Sequence, residues 1–567
     1  MKNTLYIFLL LLTLNVNGQQ AISSASDYDE EKVFLHLNTT TALAGETLFY
    51  SAYTFLKDIN SPSTLSKILY VAILDEDKNI IKSQKVGVVD GKAQGEIFLD
   101  TNIPSGNYAV IAYTLWMLNA SGEMYFQTPL NVINPYNGDQ GEILTVEDNP
   151  VKIELQKSVS NNTNTSLNIT PSVAGKRQKV TVSLSKNLEA DLSISVRKLD
   201  ALSRKQEKTS LDFASTKFEK VDVQNIEKLI VPEIRGEVIN GKIYGQDIAN
   251  VTSSKKVALS IPDDNLNIQV ASTVKDGEFF FVLDEPYDSQ YASVVVLDDK
   301  DYEVTLNPTP TPNFSDLRFK DFKITNAQNE AILKRSVANQ VENAYFALKP
   351  DTLVVEAIKD PFYNSKGVDV KKYDLDAYTR FNTVRETFIE IIENVAVRRI
   401  DQELRFRVFL PDLGVGRGEG DPLLIVDGII QKDPSTILSY PSRNIEAITV
   451  VREEYNFGPN VFFGMLIINT KDEDFKKTYY SSSSATAAKI GSIDPAKKYF
   501  KQQYSNGDNK RTPDYRYQLL WEPHADFKDN KTFEFFTSDI SGTFEIVIQG
   551  FTKNGKPIYI TQYFEVN

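Results

Sequence analysis

Few residues in this sequence are of types that carry chemistry. Histidine occurs only at His36 and His524, near opposite ends of the chain, and cysteine is absent. A zinc site takes about four His, Cys or carboxylate ligands, and two separated histidines do not supply them. Without cysteine there is no thiolate, no disulfide and no thiol for a lipid anchor. The G-x-S-x-G elbow of a serine hydrolase is also missing. Gly414-Val415-Gly416-Arg417-Gly418-Glu419-Gly420 has the glycine density of a phosphate loop. A dinucleotide fingerprint, however, needs glycine at its sixth position, directly before a helix. Here Glu419 stands there, its charge repels phosphate, and Asp421-Pro422 and a strand follow. The acidic runs Asp75-Glu76-Asp77, Asp263-Asp264 and Asp298-Asp299-Lys300-Asp301 lack the alternating oxygen ligands, glycine and distal Glu of a calcium loop. They fall where hairpin turns are expected. The residues point to no catalytic group, no cofactor and no metal, and so to a chain that works by binding.

The elements around those residues read as β-structure. Of 567 residues, 41% are hydrophobic and 11% aromatic, with 27 Tyr and 32 Phe, a composition suited to sandwich cores. The net charge of −14 argues against nucleic acid and anionic membrane surfaces as partners. Residues 1–18 read as a signal peptide, with Lys2, an apolar run Leu5–Leu14 and a small residue at Gly18. No later segment reaches the roughly 18 apolar residues of a spanning helix. An exported chain with no transmembrane segment after signal cleavage is expected.

Residues 30–135 carry short strands at Lys32–Leu37, Ala44–Tyr53, Ile68–Leu74 and Gly106–Tyr113, the pattern of a β-sandwich. The runs EKVFLHLN, AGETLFYSAY and PSGNYAVIAYT resemble the MG2-type domain of bacterial α2-macroglobulins. That family traps proteases through a cysteine thioester, which this chain has no residue to build. A second sandwich-like segment is expected at 150–200 and a partly helical connector at 201–229. Residues 230–306 contain IRGEVING, KKVALSIPDDN and VKDGEFFFVLDE and resemble the carboxypeptidase-regulatory-like sandwich, a fold without catalytic residues. Alternating prolines at Pro308, Pro310 and Pro312 end it in extended chain.

Residues 374–475 differ in kind. Phe381, Val384, Phe388, Ile391 and Ile392 place one apolar face on a helix expected over Thr379–Glu393. Strands follow at Leu423–Val426, stopped by Asp427-Gly428, then at Ala447–Val451 and Met465–Thr470. PLLIVDGI, NIEAITVV and FGMLIINTK in this order resemble the plug domain of TonB-dependent outer-membrane receptors. Only 96 residues follow Lys471, too few for a barrel of some twenty-two strands of about ten residues. Residues 476–510, with Ser481–Ser484, read as a flexible linker, and 511–567 as a last sandwich-like domain, with Pro523–Asp526 as a loop.

The expected fold is mainly β: several β-sandwich domains of immunoglobulin or macroglobulin type and one small α/β plug-like domain. The resemblances imply a periplasmic protein of the Bacteroidota, associated peripherally with the outer membrane. Its plug-like domain would dock on or occlude a separate outer-membrane β-barrel, a transporter or a protein-secretion translocon such as that of the type IX system. The residues expected to meet that partner are Arg417, Glu419, Asp427, Gly428, Tyr455, Asn456 and Phe457. The alternatives are a structural or adhesive envelope protein, or a macroglobulin-like binding protein without a thioester.

Overall fold

Segments distant in sequence complete the sandwich bodies of this chain. The computed structural model describes residues 30–56, 61–119, 125–138, 165–204, 208–216, 229–245, 254–262, 267–297, 302–354, 369–411, 420–458, 460–481, 487–504 and 511–567. The signal peptide, the acidic runs at 263–264 and 298–301, most of the connector, and the loop positions Arg417 and Glu419 lie outside the described residues.

The N-terminal sandwich sets a sheet of Glu31–Leu37, Thr47–Leu56, Ser61–Pro62 and Lys92–Phe98 against one ordered Thr41–Leu43, Phe126–Ile133, Gly106–Tyr113, Ile68–Leu74 and Ile80–Gly87. Its central strand Ile68–Leu74 is a continuous apolar run buried throughout, because both of its faces are covered. The middle sandwich packs Glu278–Leu283, Glu237–Tyr244 and Glu303–Leu306 against Asn267–Ser272, Lys256–Ile261 and Tyr291–Val296. The turn between its third and fourth strands is Lys275-Asp276-Gly277, with Asp276 at φ 61°.

The described residues of the segments 150–200 and 511–567, expected as two domains, form one sandwich. Leu188–Lys198 pairs on one side with Gln518–Phe527 and on the other with Gly542–Thr552, and Lys179–Leu184 pairs with Thr532–Phe536. Each half alone leaves strand edges and one apolar face uncovered, so neither segment closes a core without the other.

In the plug-like module the sheet order is Val370–Asp374, Ile445–Phe457, Asn460–Thr470, Leu423–Val426, Ile429–Ile430. Leu423–Val426 runs parallel to Met465–Ile468 and the other pairs are antiparallel. The expected helix is confined to Val384–Glu390, since a Thr383–Glu386 capping box starts it and the chain turns at Asn394, φ 61°. Both faces of the sheet are apolar. Leu424, Val426, Ile448, Val450, Leu466 and Ile468 meet the module's own helices. Leu423, Ile425, Val451 and Met465 meet Ala258 and Val270 of the middle sandwich.

The segment expected as a linker is a strap. Ala487–Lys489 adds to the middle sandwich, Ile493–Asp494 runs parallel to Lys85–Val86 of the N-terminal sandwich, and Lys497–Lys498 pairs with Thr352–Leu353. A further element, the helix Asn329–Ala344, lies across the N-terminal sandwich through Arg335. No helix is long and apolar enough to cross a membrane among the described residues.

Candidate functional site

The residues singled out on the plug-like module are largely engaged within the chain. Asp427, 5% exposed, accepts hydrogen bonds from Thr470 N at 2.7 Å and Lys476 N at 3.2 Å, tying its turn to the helix Asp474–Ser481. Gly428 sits at φ 77°, and a Cβ there would come within 2.9 Å of Pro262 Cα in the middle sandwich. Tyr455 and Phe457 are half-buried and stack with ring centroids 6.1 Å apart, within the cluster that also holds Val270. Asn456 is exposed. The turn and the hairpin end thus face the neighbouring sandwich, because the sheet's second apolar face has to be covered.

The two histidines come to a shared interface, between the N-terminal and composite sandwiches. His524 is not in a surface loop. It belongs to the edge strand Gln518–Phe527, where Pro523 is tolerated because that edge needs no further N–H donor, beside a register shift. Its ring lies 6.0 Å from Tyr53, and burial, with Lys92 nearby, lowers its pKa to about 4. His36 Nδ1 is 2.6 Å from Ser193 Oγ, a serine–histidine contact of the kind nucleophilic catalysis uses. Ser193 Oγ donates to the Gln549 carbonyl at 3.0 Å, and Ser193 and His36 are 0% and 1% exposed. Burial holds His36 neutral, with a pKa near 3. A substrate has no access to this pair, which works as a buried joint.

An open cavity of about 560 Å³ lies where the N-terminal sandwich, the helix Asn329–Ala344, the strap and the composite sandwich meet. Its apolar wall includes Phe49, Phe98, Phe346, Tyr499 and Trp521. Phe49 stacks on Trp521 at 6.1 Å and meets Tyr499 edge-on at 5.1 Å. Phe98 and Phe346 are 46% and 64% exposed. At its floor Arg335 forks onto Glu46, both bonds 2.7 Å, and donates to the Thr41 carbonyl at 2.8 Å. Burial would raise the Glu46 carboxyl, but Arg335 and Arg197 beside it hold it below the ordinary carboxylate range. Gly45, at φ 91°, lets the helix approach closely: a Cβ there would sit 2.9 Å from Asn339 Nδ2.

Lining side chains include Trp521, Asn339, Tyr499 and Glu96. Each carries a polar atom withdrawn from solvent and without a hydrogen-bond partner: Trp521 Nε1, Asn339 Nδ2, Tyr499 Oη and Glu96 Oε2. Unpaired buried polar atoms are rare, since each costs about 1–3 kcal/mol. All four atoms are closed off from solvent, so they face the protein around the cavity and not its open space. Sequence reading missed these residues because they come from four separate segments. The nearest signal was Thr325 with Gln328, a capping box ahead of the helix, and the Glu330–Lys334 pair on its first turns.

No family model matches the chain and no curated protein matches it. Solved structures of bacterial α2-macroglobulins do. The Salmonella protein reacted with methylamine aligns with 96% of this chain and 40% of its own at 10% identity, TM-score 0.23. The Escherichia coli protein activated by porcine elastase aligns with 95% of this chain and 44% of its own at 9% identity, TM-score 0.23. The chain spans about two fifths of the length of the macroglobulins it matches. At these scores the likeness extends to neither activity nor partners.

Proposed function

We propose that this chain is a non-catalytic, multi-domain binding protein of the bacterial envelope, with the junction cavity as its ligand site. The observation that carries this reading is the open cavity of about 560 Å³ at the junction, with Phe98 and Phe346 exposed on its lining. The reading is tested by thermal shift of the full chain against short peptides, neutral and charged oligosaccharides, nucleotides and fatty acids. At least one class raises Tm by several degrees in the parent and not in Trp521→Phe. If no class does so, the reading is lost.

Docking on an outer-membrane β-barrel from the periplasm is the second reading, and one surface favours it. The hairpin Val395–Ile400/Glu403–Val408 exposes Arg398 and Arg399 on a chain of net charge −14. Ile389 and Phe409 nearby in sequence are 63% and 45% exposed. Asn456, on the strand Ile445–Phe457, and the sequence positions Arg417 and Glu419 are proposed to extend that contact. Co-purification of a specific barrel protein from detergent-solubilised envelopes, lost on Arg398→Glu with Arg399→Glu, is the expected result. Retention of the barrel by that variant removes the hairpin from the contact.

A further inference from the structure

We propose that the junction cavity and the apolar shelf beside it dock a partner protein, through a segment of large hydrophobic residues flanked by acidic ones. The proposal rests on the cavity being a ligand site and names what fills it. The part of the lining that reaches solvent is aromatic. Trp521 and Tyr499 are packed away, whereas Phe98, Phe346 and Tyr515 are exposed. The apolar surface continues past the cavity along one short segment, where Tyr345, Phe346, Leu348, Leu353 and Val354 all stand in solvent. Phe346, Lys349 and Asp351 of that segment line the cavity, so shelf and cavity adjoin. Single exposed hydrophobic residues are ordinary, but a group of them marks an interaction surface. The shelf is held in place from below. Thr352–Leu353 pairs with Lys497–Lys498 of the strap, Phe500 N donates to Asp351 at 2.8 Å, and Tyr515 N donates to Glu342 at 2.6 Å.

Charge and shape then say what covers it. Arg335 and Arg197 are held by Glu46, Lys349 by Glu342 and Arg516 by Asp514. Glu96 and Asp351 share Lys497, and Glu522 holds Lys501. A charged group entering the cavity would have to displace one of these pairs, so the entering group is uncharged. At the rim the balance differs. Lys498 lies across the small sheet from Thr352, and Arg511 precedes Thr512 and Pro513, which flank Leu348. Both cations are exposed and have no ion-pair partner. They attract acidic residues on either side of an apolar segment. An acyl chain inside the cavity would leave the shelf bare, and a bilayer surface is too flat to enter the recess. A protein segment meets both, with one side chain in the cavity as an anchor and its neighbours across the shelf.

The test pans immobilised full-length chain with a random dodecapeptide phage library and repeats the selection on Phe346→Ser. Phe346 is exposed, so its replacement leaves the core intact, which circular dichroism checks. The expected result is enrichment, on the parent and not on the variant, of peptides with large hydrophobic residues beside Asp or Glu. The leading sequence, made as a fluorescein-labelled peptide, binds about tenfold more weakly to Phe346→Ser and about threefold more weakly to Lys498→Glu. Enrichment of basic or purely polar peptides, or equal enrichment on both chains, overturns the proposal. Dodecanoate or a sugar bound saturably, with no peptide enriched, overturns the partner and leaves the cavity as a ligand site. Flotation with vesicles of phosphatidylethanolamine and phosphatidylglycerol, or a concentration-dependent dimer, lost in Phe346→Ser with no peptide enriched, assigns the shelf to a bilayer or a second copy and overturns the proposal too. No binding in any of these assays overturns the proposal and the binding reading together.

Discussion

Arg335 shows how a single charge holds this molecule's junction. The side chain is 2% exposed, yet it is bound by Glu46, by the Thr41 carbonyl and, at 3.4 Å, by Asp200. Burial would lower its pKa, and the two carboxylates raise it instead. Arg335→Met leaves Glu46 buried with Arg197 at 3.3 Å as its remaining cation and the Leu43 N–H at 3.2 Å, and is expected to cost about 3–5 kcal/mol in urea unfolding. Adding Glu46→Gln should recover most of that loss; a double variant as unstable as the single one contradicts the pairing. Glu233 gives the opposite case. It is buried, and burial is the main reason its pKa rises to about 8. The folded chain then holds a proton that the unfolded chain releases near pH 4.5, so stability falls as pH rises from there toward 8 and levels off above it. Glu233→Gln should remove that slope and be more stable than the parent by about 1–2 kcal/mol at pH 8, with little difference at pH 4. Denaturation at both pH values measures it. Neither residue was legible in the sequence. A lone Arg within Leu-Lys-Arg-Ser reads as a solvated helix face, and only the fold shows that this face is the buried one.

Among the elements, the strap is where sequence and structure part most. Its strands span two or three residues each, too short for any period to register, and serine and alanine beside them suggest a flexible connector. The structure fixes it through its backbone and through Ile493, 2% exposed in the core of the N-terminal sandwich. Lys85 adds a contact by donating to the Ile490 carbonyl at 2.7 Å. Ile493→Asp puts a charge into that core and is expected to cost about 2–4 kcal/mol and to open the strap to limited proteolysis. Cleavage there at the parental rate would show that the strap is not held by Ile493. Longer elements read more truly. Ile68–Leu74, Gly106–Tyr113 and Leu423–Val426 begin and end where the sequence places them. Asp427-Gly428 makes the expected turn, with φ values of 47° and 77°. The helix Asn329–Ala344 escaped notice because its buried residues are Arg335, Ser336 and Ala338, so it carries no apolar stripe.

The whole molecule is mainly β, and its bodies are interlocked. The composite sandwich draws strands from 167–198 and 518–566, and between them the chain builds the middle sandwich and the plug-like module. Local sequence patterns carry fold class well, but they hold nothing about which distant strands pair, and that pairing creates the cavity. A chain ended at residue 504 loses the partners of Leu188–Lys198 and should aggregate, and co-expression of 511–567 should restore solubility. A soluble, folded 504-residue chain would contradict the composite sandwich. Hydrogen exchange of the full chain, with and without the ligand of largest thermal shift, tests the binding account most directly. The account predicts slowed exchange confined to Glu46–Phe49, Arg335–Asp351, Tyr499–Phe500 and Tyr515–Trp521, the segments around the cavity. Slowing centred on the plug-like strands Leu423–Val426 and Ile445–Thr470, with none around the cavity, would contradict it.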